Sequence, residues 1–451
     1  MYIKKNKFKL ILLGATIFIF FVIFALWNLV SDGYDKQNKV TLFLKEIIPT
    51  KIARNIRDNF FIIPTLKNEN DYLKKIVKKY DQLYDGSLIQ EKNISSENNN
   101  YQFILREFYM PFKRIDLLEG WSSEKNNRSK HYLDLIGDDI FLMSGQGETI
   151  FFNKNNTQVD KLKYKIIDNN IKKILEEKDY IPGGIRDVHY DNGEIYISLL
   201  FKNTQGYTMD IYSAKFNKNF LNFNIFFKTN TYWDKYTVRQ GGRIGTFKNN
   251  EILLTIGDVT YRNKVQNNNN LYGKIISINK NNRSYQIVSK GHRNQQGLYY
   301  SKKKNIIFNS EHGPKGGDEI NLNKFDGKIQ NFGWPVASYG DEYTKKTKFL
   351  RSHKNNNFIE PLKYYVPSIG ISEIEIIENI NSKNENLILV SSLRANSIYF
   401  IKVNENFDKI INEERLYIQN QRIRDIKYDD KDEMLYLVFE NTPSLGVVKL
   451  R

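Results

Sequence analysis

The sequence predicts an all-β fold, a six-bladed β-propeller, from an internal repeat, from the strand content of each repeat and from a duplicated motif. Short apolar runs, each followed by a polar or glycine-bearing turn, begin at Ile140, Ile195, Ile252, Ile306, Leu387 and Leu435. These starts are 55, 57, 54, 81 and 48 residues apart. Further β-type runs follow each of them, so every unit can supply about four strands, the content of a propeller blade.

The duplicated motif strengthens the case for repetition. Residues 185–188 read Ile-Arg-Asp-Val before the second apolar run, and residues 423–426 read Ile-Arg-Asp-Ile before the sixth. The longer fourth interval places an insertion at residues 336–370. A β-sandwich is the alternative, but it does not explain six evenly spaced units with polar residues at the same end of the same strand. We therefore assign residues 131–451 to the propeller.

The N-terminal region predicts a membrane anchor. Four lysines precede an uncharged apolar run at residues 10–30, and these 21 residues match the thickness of a bilayer when helical. A cleavable signal peptide is the alternative, but the run is long for one and no small-x-small site follows it. Residues 1–30 are thus predicted to be a signal anchor in the inner membrane with the lysines in the cytoplasm. The remainder is then periplasmic, and residues 31–130, with a helical pattern at 72–83, form a stem.

Composition excludes several classes of function. The formal charge of +17 on 451 residues is spread among acidic residues and asparagine, so nucleic acid is not an expected partner. The chain has no cysteine, which excludes disulfides, thiolate zinc sites and a cysteine nucleophile.

Charged residues recur at one end of the predicted strands. Asp258, Glu311, His312 and Arg394 directly follow an apolar run, whereas Arg422 and Arg424 directly precede one. Turns at one end of a propeller converge on its axis, so these side chains are predicted to share one pocket. With Arg239 and Arg293 the pocket carries many guanidinium groups and few carboxylates, which suits a multiply anionic ligand.

Three motifs carry a resemblance to a known family. They are Gly-His-Arg-Asn-Gln-Gln-Gly at 291–297, Glu-His-Gly-Pro-Lys-Gly-Gly-Asp-Glu-Ile-Asn at 311–321 and Asn-Phe-Gly-Trp-Pro at 331–335. In that order and spacing they resemble the glucose/sorbosone dehydrogenases, the soluble aldose-sugar dehydrogenases that depend on pyrroloquinoline quinone (PQQ). The resemblance covers roughly residues 130–451 and implies a six-bladed propeller that oxidises a sugar.

The resemblance also implies roles for individual residues. Arg293, Asn294, Arg394, Arg422 and Arg424 would contact PQQ, a tricarboxylate that suits guanidinium groups. The carbonyl groups of Gly313 and Pro314 would bind the calcium ion that polarises PQQ, and Asp318 and Glu319 would lie near structural calcium.

The catalytic position departs from the family pattern. Where the family has a histidine base, the segment 238–243 holds Arg239, while Asp258 occupies the position that orients the base. Arginine cannot accept a proton at neutral pH. The family's Gln or Glu before the early Gly-Gly pair is also replaced, by Pro182. Arg239 either forms an ion pair with Asp258 that keeps the pocket folded, or binds an anionic substrate while His312 or His189 takes the proton.

Two hypotheses for function follow. The first is an exported, membrane-anchored dehydrogenase that uses PQQ and calcium to oxidise a sugar or related polyol by hydride transfer, with an unknown electron acceptor. The second is a propeller that binds a glycan, an anion or a protein partner without turnover, as loss of the base would allow. We interpret His292 as structural, orienting the glycine-rich loop.

Overall fold

The computed structural model of the protein describes residues 85–112, 130–176, 184–343, 348–382 and 384–450. The apolar run at 10–30, the helical pattern at 72–83 and Pro182 lie outside these residues, so the anchor and the helical stem stay predictions. Within the described ranges, no helix is long and apolar enough to cross a bilayer.

Six antiparallel sheets account for almost all of the described strands. The described chain opens with β1 (Leu88–Ser95) and β2 (Gln102–Tyr109). Blade 1 follows, with β3 (His131–Ile136), β4 (Asp139–Ser144), β5 (Thr149–Asn153) and β6 (Lys165–Ile166). β7 (Asp168–Asn169) and the helix α1 (Ile171–Glu176) follow blade 1. Blade 2 contains β8 (Ile185–Asp191), β9 (Glu194–Asn203), β10 (Gly206–Lys215) and β12 (Asn224–Phe227). A short strand of the same region, β11 (Phe220–Leu221), pairs with β7.

Blades 3 to 6 follow in chain order. Blade 3 contains β13 (Gly241–Phe247), β14 (Glu251–Ile256), β15 (Lys274–Asn279) and β16 (Tyr285–Lys290), with β20 (Gln330–Asn331) added at its edge. Blade 4 contains β17 (Gln295–Ser301), β18 (Ile306–Glu311), β19 (Asp318–Lys324) and β21 (Lys363–Tyr365). Blade 5 contains β22 (Ile371–Ile377), β23 (Asn386–Ser392), β24 (Ser397–Val403) and β25 (Ile410–Tyr417). Blade 6 contains β26 (Ile423–Asp429), β27 (Met434–Phe439) and β28 (Ser444–Lys449). Short 3-10 helices span Lys154–Gln158, Arg262–Lys264 and Lys354–Asn356.

The predicted six-bladed propeller is confirmed by the contacts between blades. The first strands of the blades, β3, β8, β13, β17, β22 and β26, contact one another in that order, and β26 contacts β3. This closed ring surrounds the axis of the molecule. The apolar runs that revealed the repeat are β4, β9, β14, β18, β23 and β27, the second strand of each blade rather than the innermost. They are the most apolar strands because both of their faces are covered by neighbouring blades.

The N-terminal strands complete blade 6. β2 pairs antiparallel with β28, and β1 pairs with β2, so the last sheet combines both ends of the described chain. The predicted boundary at residue 131 is therefore too late, because residues 88–109 belong to the propeller and not to a stem. β28 would otherwise expose an unpaired edge, and pairing with an N-terminal strand both covers it and closes the ring.

The hydrophobic core is divided among the contacts between blades. Six apolar clusters each combine residues of two neighbouring blades, as Phe141 of blade 1 does with Ile197 of blade 2. Fully burying one such side chain contributes about 1.5–3 kcal/mol. The core thus holds the ring together while the polar ends of the strands remain available for a site.

Buried charges link the innermost strands around the axis. Arg243 of β13 is 4% exposed, and its Nη1 lies 3.0 Å from Asp187 and from Asp425 and 2.7 Å from Glu373. These carboxylates belong to β8, β26 and β22, so one guanidinium joins four blades. Burial raises the pKa of Asp187 to about 6 despite the adjacent arginine, and Asp425 adds to the increase.

A second buried carboxyl group, that of Glu375, is expected to make the stability of the fold depend on pH. Burial raises the pKa of Glu375 from 4.5 to about 7, although Lys427 lies 3.2 Å away. Between these pH values the folded state holds a proton that the unfolded state has lost, so stability falls as the pH rises from about 5 to 8. For this group the loss is about 3 kcal/mol. Glu375→Gln is expected to flatten the dependence, as measured by denaturant unfolding at several pH values.

Glu405→Gln, at an exposed glutamate, is the matched control and should leave the pH dependence of unfolding as it is in the parent protein. Parallel stability curves for the parent and Glu375→Gln over pH 5–8 would contradict the assignment.

Candidate functional site

A cavity of about 810 Å³ opens at one end of the innermost strands. Because the strands of a blade are antiparallel, the residues before the first strand and after the second lie at the same end of the sheet. Among the described residues, a single carboxylate, that of Glu440, lines the cavity. The cationic side chains that line it are Lys130, Arg186, Arg239, Arg243, Arg262, Arg293, Lys315, Arg394, Arg422 and Arg424. Arg239, Arg243 and Arg262 pair with carboxylates that lie behind the wall. The other seven cations outnumber Glu440, so the cavity keeps a net positive charge.

β-bulges direct two of these arginines toward the axis. The register of β8 shifts between Ile185 and Asp187, and that of β26 shifts between Ile423 and Asp425. Arg186 and Arg424 are the residues at the shifts, and both line the cavity. A bulge changes the direction of a side chain without ending the strand. A Cβ on Gly242 would lie 2.6 Å from the Cβ of Arg186, so a glycine there makes room for the arginine.

Arg422 and Arg424, both predicted to bind the cofactor, are held by Glu440. Arg422 Nε donates to Glu440 Oε2 at 3.0 Å, and Arg424 Nε donates to Glu440 Oε1 at 2.6 Å. Burial alone would raise the pKa of Glu440, but Arg424 and Arg422 outweigh it and lower that pKa to about 2. Arg424 Nη1 also donates to Gln296 of blade 4 at 3.1 Å. The pair is thus oriented before any ligand binds.

Arg293 and Asn294 lie directly before β17 and line the same cavity. Arg293 Nη1 donates to the carbonyl of His312 at 3.0 Å, and the guanidinium lies 5.5 Å from the centre of the Trp334 ring. Its Nε is buried without a hydrogen-bond partner, and burial lowers the pKa of Arg293 to about 10. Asn294 Oδ1 accepts from Gly241 N at 3.3 Å. Arg293 therefore retains an unused donor in a desolvated position.

Arg394 lies in the loop after β23 and is exposed at the cavity wall. In the described part of the chain, its side chain makes no ion pair or hydrogen bond with another side chain. A Cβ on Gly370 would lie 2.9 Å from the backbone nitrogen of Arg394, so that loop packs closely against the start of blade 5. The structure thus brings all five residues predicted to contact the cofactor to one cavity.

Arg239 forms the ion pair that was one of its two predicted roles. Its Nη1 lies 3.2 Å from Asp258 Oδ2, and Asp258 is fully buried. The same carboxylate accepts from Trp334 Nε1 at 2.9 Å and from the backbone of Thr260 at 2.9 Å. Arg239 lines the cavity, whereas Asp258 lies behind it.

The predicted calcium residues divide into two groups. Gly313 and Pro314 line the cavity, and the Pro314 carbonyl accepts from Tyr343 at 2.9 Å. Asp318 is fully buried and accepts hydrogen bonds from four donors, the backbone nitrogens of Gly313, Gly370 and Ile371 and the hydroxyl of Ser368. These hydrogen bonds position the loop that carries Gly313 and Pro314. The calcium contacts of Gly313 and Pro314 and the place of Asp318 near structural calcium stay predictions.

Glu319 lies at a separate small cavity of about 10 Å³ that Glu311 also lines. Burial and the neighbouring Glu311 raise the pKa of Glu319 well above its usual range. Within the described ranges, no group of three or more metal-ligating side chains is arranged to hold an ion. The role of Glu319 near structural calcium stays a prediction.

The histidines occupy different environments. His312 lines the cavity, with its Nδ1 3.8 Å from Asp318. His189 lies deeper, between Thr246 at 2.9 Å and Asp134 at 3.2 Å, and is not among the residues that line the cavity. His292 is fully buried between Ser289 and Glu311, at 2.8 and 2.9 Å, which fits its predicted structural role. His312 is therefore the better placed of the two base candidates.

Sequence reasoning missed Arg186, Arg262 and Glu440. The duplicated Ile-Arg-Asp motif contained the signal for Arg186, because Arg424 in its second copy was already assigned to the pocket. Glu440 follows the sixth apolar run as Glu311 follows the fourth, so the rule that found Glu311 also locates Glu440. Arg262, which is ion-paired with Glu342, lies in a 3-10 helix after β14 that has no counterpart in the repeat.

The fold and the cavity define a six-bladed β-propeller with a cation-rich site at one end of its innermost strands. The chain belongs to the Glucose / Sorbosone dehydrogenase family, whose model matches residues 146–446. The predicted resemblance is thereby confirmed.

The chain is also similar in sequence to two curated proteins. It is 25% identical over 227 residues to the aldose sugar dehydrogenase YliI of Escherichia coli, and this match covers 47% of the chain and 60% of the relative. It is 28% identical over 229 residues to an uncharacterized protein of Synechocystis, with 46% of the chain and 54% of the relative covered. The chain thus spans little more than half the length of these curated relatives.

Solved structures share the fold. The apo form of the soluble aldose sugar dehydrogenase from Escherichia coli superposes with a TM-score of 0.55 and 19% identity, covering 72% of this chain and 96% of that one. The PQQ-bound aldose sugar dehydrogenase from Streptomyces coelicolor superposes with a TM-score of 0.52 and 17% identity, covering 74% and 96%.

Proposed function

We propose that the protein is an oxidoreductase that binds PQQ with calcium and oxidises a sugar or related polyol. The observation that carries this proposal is the cavity, whose described lining includes ten cationic side chains and one carboxylate. Several of these cations pair with carboxylates behind the wall, but Arg293 and Arg394 form no ion pair among the described residues. A small tricarboxylate would neutralise such a site, and bidentate guanidinium contacts favour it. Membership of the sugar dehydrogenase family supports the same conclusion.

The residues present fit this cofactor. Arg293 has a buried donor without a partner, and Glu440 orients Arg422 and Arg424. Arg394 makes no ion pair or hydrogen bond with another side chain of the described ranges. With Asn294 they would hold the carboxylates, and the carbonyls of Gly313 and Pro314 would hold calcium. When bound, PQQ supplies a quinone that accepts a hydride, and calcium polarises it.

The chain's own acid–base groups limit how the substrate can lose a proton. Arg239 stays charged at neutral pH, and Asp258 is buried and already accepts three hydrogen bonds. Glu440, with its pKa of about 2, is a weak base. His312 lines the cavity, and because of this position we propose that it accepts the substrate's proton.

A second candidate function is binding without turnover. The observation that favours it is the ion pair of Arg239 with Asp258, because it occupies the position of the family's base. Such a protein would bind a glycan, an anion or a protein partner in the same cavity.

We also propose that the protein is exported and anchored in the membrane. The apolar segment at 10–30, preceded by lysines, supports a single-pass anchor in the inner membrane with the propeller in the periplasm. An electron acceptor close to the membrane suits that arrangement.

A titration separates the two functions. The purified full-length protein is mixed with PQQ and calcium, the absorbance of the bound cofactor is recorded, and dye reduction is then measured with a panel of sugars. Binding with turnover supports the dehydrogenase, binding without turnover supports the second function, and failure to bind PQQ overturns the cofactor assignment.

The substitution Arg239→His tests the missing base. It is expected to raise aldose oxidation by at least about tenfold, since a positioned general base contributes about 10²–10⁴-fold. Dye reduction with PQQ-loaded protein measures the effect, and Arg239→Gln, which cannot take a proton, is the control. A fall in activity in Arg239→His would make Arg239 itself part of the mechanism.

A further inference from the structure

We infer that the cavity contains a second anion site, built by Arg186 and Arg239, that takes the carboxylate or phosphate group of an acidic sugar. This inference rests on the proposed function, because it concerns the substrate of the same cavity, and it narrows the substrate from sugars in general to anionic ones.

Arg186 has fewer partners than a buried guanidinium requires. It is 6% exposed, lines the cavity and donates through Nη2 to the hydroxyl of Tyr236 at 3.3 Å. Its Nε is buried without a hydrogen-bond partner. In the part of the chain that the structure describes, no carboxylate lies within ion-pair distance of Arg186, unlike Arg243 and Arg424. A buried, unpaired charge is costly, and an oxyanion in the cavity would satisfy it.

Arg239 supplies the second guanidinium. One of its nitrogens is committed to Asp258, and the contacts of the described residues leave Nε and Nη2 of its side chain available. Arg239 also lies close enough to Arg293 to contribute to the lowered pKa of that residue. Repulsion between such neighbours is relieved by an anion, whereas a neutral sugar brings no charge to offset it.

The two arginines belong to different blades from the residues assigned to the cofactor. Arg186 is on β8 of blade 2, and Arg239 directly precedes β13 of blade 3. Arg293, Arg394 and Arg424 come from blades 4, 5 and 6. A cavity of about 810 Å³ has room for two small ligands. One anion could therefore bind at Arg186 and Arg239 while the arginines of blades 4, 5 and 6 would hold the other.

The chemistry of the site admits two kinds of oxyanion. A carboxylate and a phosphate both accept paired hydrogen bonds from guanidinium groups, so a uronic acid and a sugar phosphate share the recognition. Calorimetric titrations of the PQQ- and calcium-loaded full-length protein with glucuronate, glucose 6-phosphate and glucose separate these sources. We expect at least one acidic sugar to bind at least about tenfold more tightly than glucose.

Variants locate the site. Arg186→Gln is expected to lower the affinity for the acidic sugar by about 10- to 100-fold, with Arg186→Lys intermediate. The affinity for PQQ should stay unchanged in Arg186→Gln. Arg351→Gln, at an exposed arginine, is the matched control, and circular dichroism verifies that each variant is folded. If Arg186→Gln does not fold, Arg239→Gln provides the same test.

Several outcomes overturn the inference. The first is an equal affinity of the protein for glucose and for both acidic sugars. The second is displacement of the acidic sugar by PQQ. The third is that inorganic phosphate binds as tightly as glucose 6-phosphate while glucuronate binds no better than glucose. The same titrations without PQQ distinguish the two proposals. If PQQ does not bind but an acidic sugar binds through Arg186, the proposed function fails and the anion site stands.

Discussion

Replacing Arg243 by leucine is expected to lower the free energy of unfolding by about 3–5 kcal/mol. The substitution leaves Asp187, Glu373 and Asp425 buried at the axis without the cation that all three contact. It also removes hydrogen bonds from Arg243 to the carbonyls of Gln296 and Arg424, which link blades 3, 4 and 6. Denaturant unfolding at pH 7.5, followed by circular dichroism, measures the loss.

The pH dependence of this variant distinguishes lost charge pairing from lost packing. Burial and repulsion between the carboxylates already raise the pKa of Asp187 and Glu373, and without Arg243 both should rise further. Protonation at pH 4–5 then removes the unpaired charges, so the destabilisation should shrink in acid. Arg283→Leu, at an exposed arginine over Phe226, is the control. A loss that is equal at pH 4.5 and 7.5 would contradict the electrostatic explanation.

The repeat predicted the architecture because the most apolar strand of each blade is recognisable in the sequence. β9, β14 and the other second strands are covered on both faces, so they read as uninterrupted apolar runs. The innermost strands carry Asp187, Arg243 and Glu373, whose charges interrupt the apolar pattern. For that reason the strands that line the axis were the harder ones to identify from sequence.

The N-terminal strands of blade 6 could not be placed by the same reasoning. β1 is the edge strand of this sheet, and both β1 and β2 have alternating exposed residues. β2 pairs with β28, which is more than 300 residues away in sequence. Ser444, at the start of β28, donates to Glu107 of β2 at 2.6 Å, a contact that no local pattern contains. Only the requirement that the ring be closed at the edge of β28 points to a missing strand.

Candidate site residues were predictable where the repeat fixes the end of a strand. Arg394 and Arg422 could be assigned from their position beside an apolar run, and both line the cavity. The position of Asp258 behind Arg239 also agrees with the predicted ion pair. What the sequence could not show is which lone pairs are already used. Asp318 has the oxygen atoms of a metal ligand, but three donors already bind its Oδ2 and one binds its Oδ1.

Replacing both Arg422 and Arg424 by glutamine is expected to lower the affinity for PQQ by about a thousandfold. Two charge-assisted contacts to carboxylates are lost, each worth about 1.5–3 kcal/mol. Glu440, which the two arginines now neutralise, would in addition face the cavity as an uncompensated carboxylate and repel an anionic ligand. Equilibrium titration of the cofactor's absorbance in the presence of calcium measures the effect.

The triple variant, with Glu440→Gln added, separates the two causes. Removing the carboxylate should restore part of the affinity, about tenfold or more, if repulsion contributes, whereas lost contacts alone predict no recovery. Arg415→Gln, at an arginine outside the cavity, is the matched control. An unchanged affinity in the double variant would mean that blade 6 does not hold the cofactor. The cation-rich wall formed by Arg422 and Arg424 would then serve the substrate instead, and the assignment of blades to the two ligands would have to be reversed.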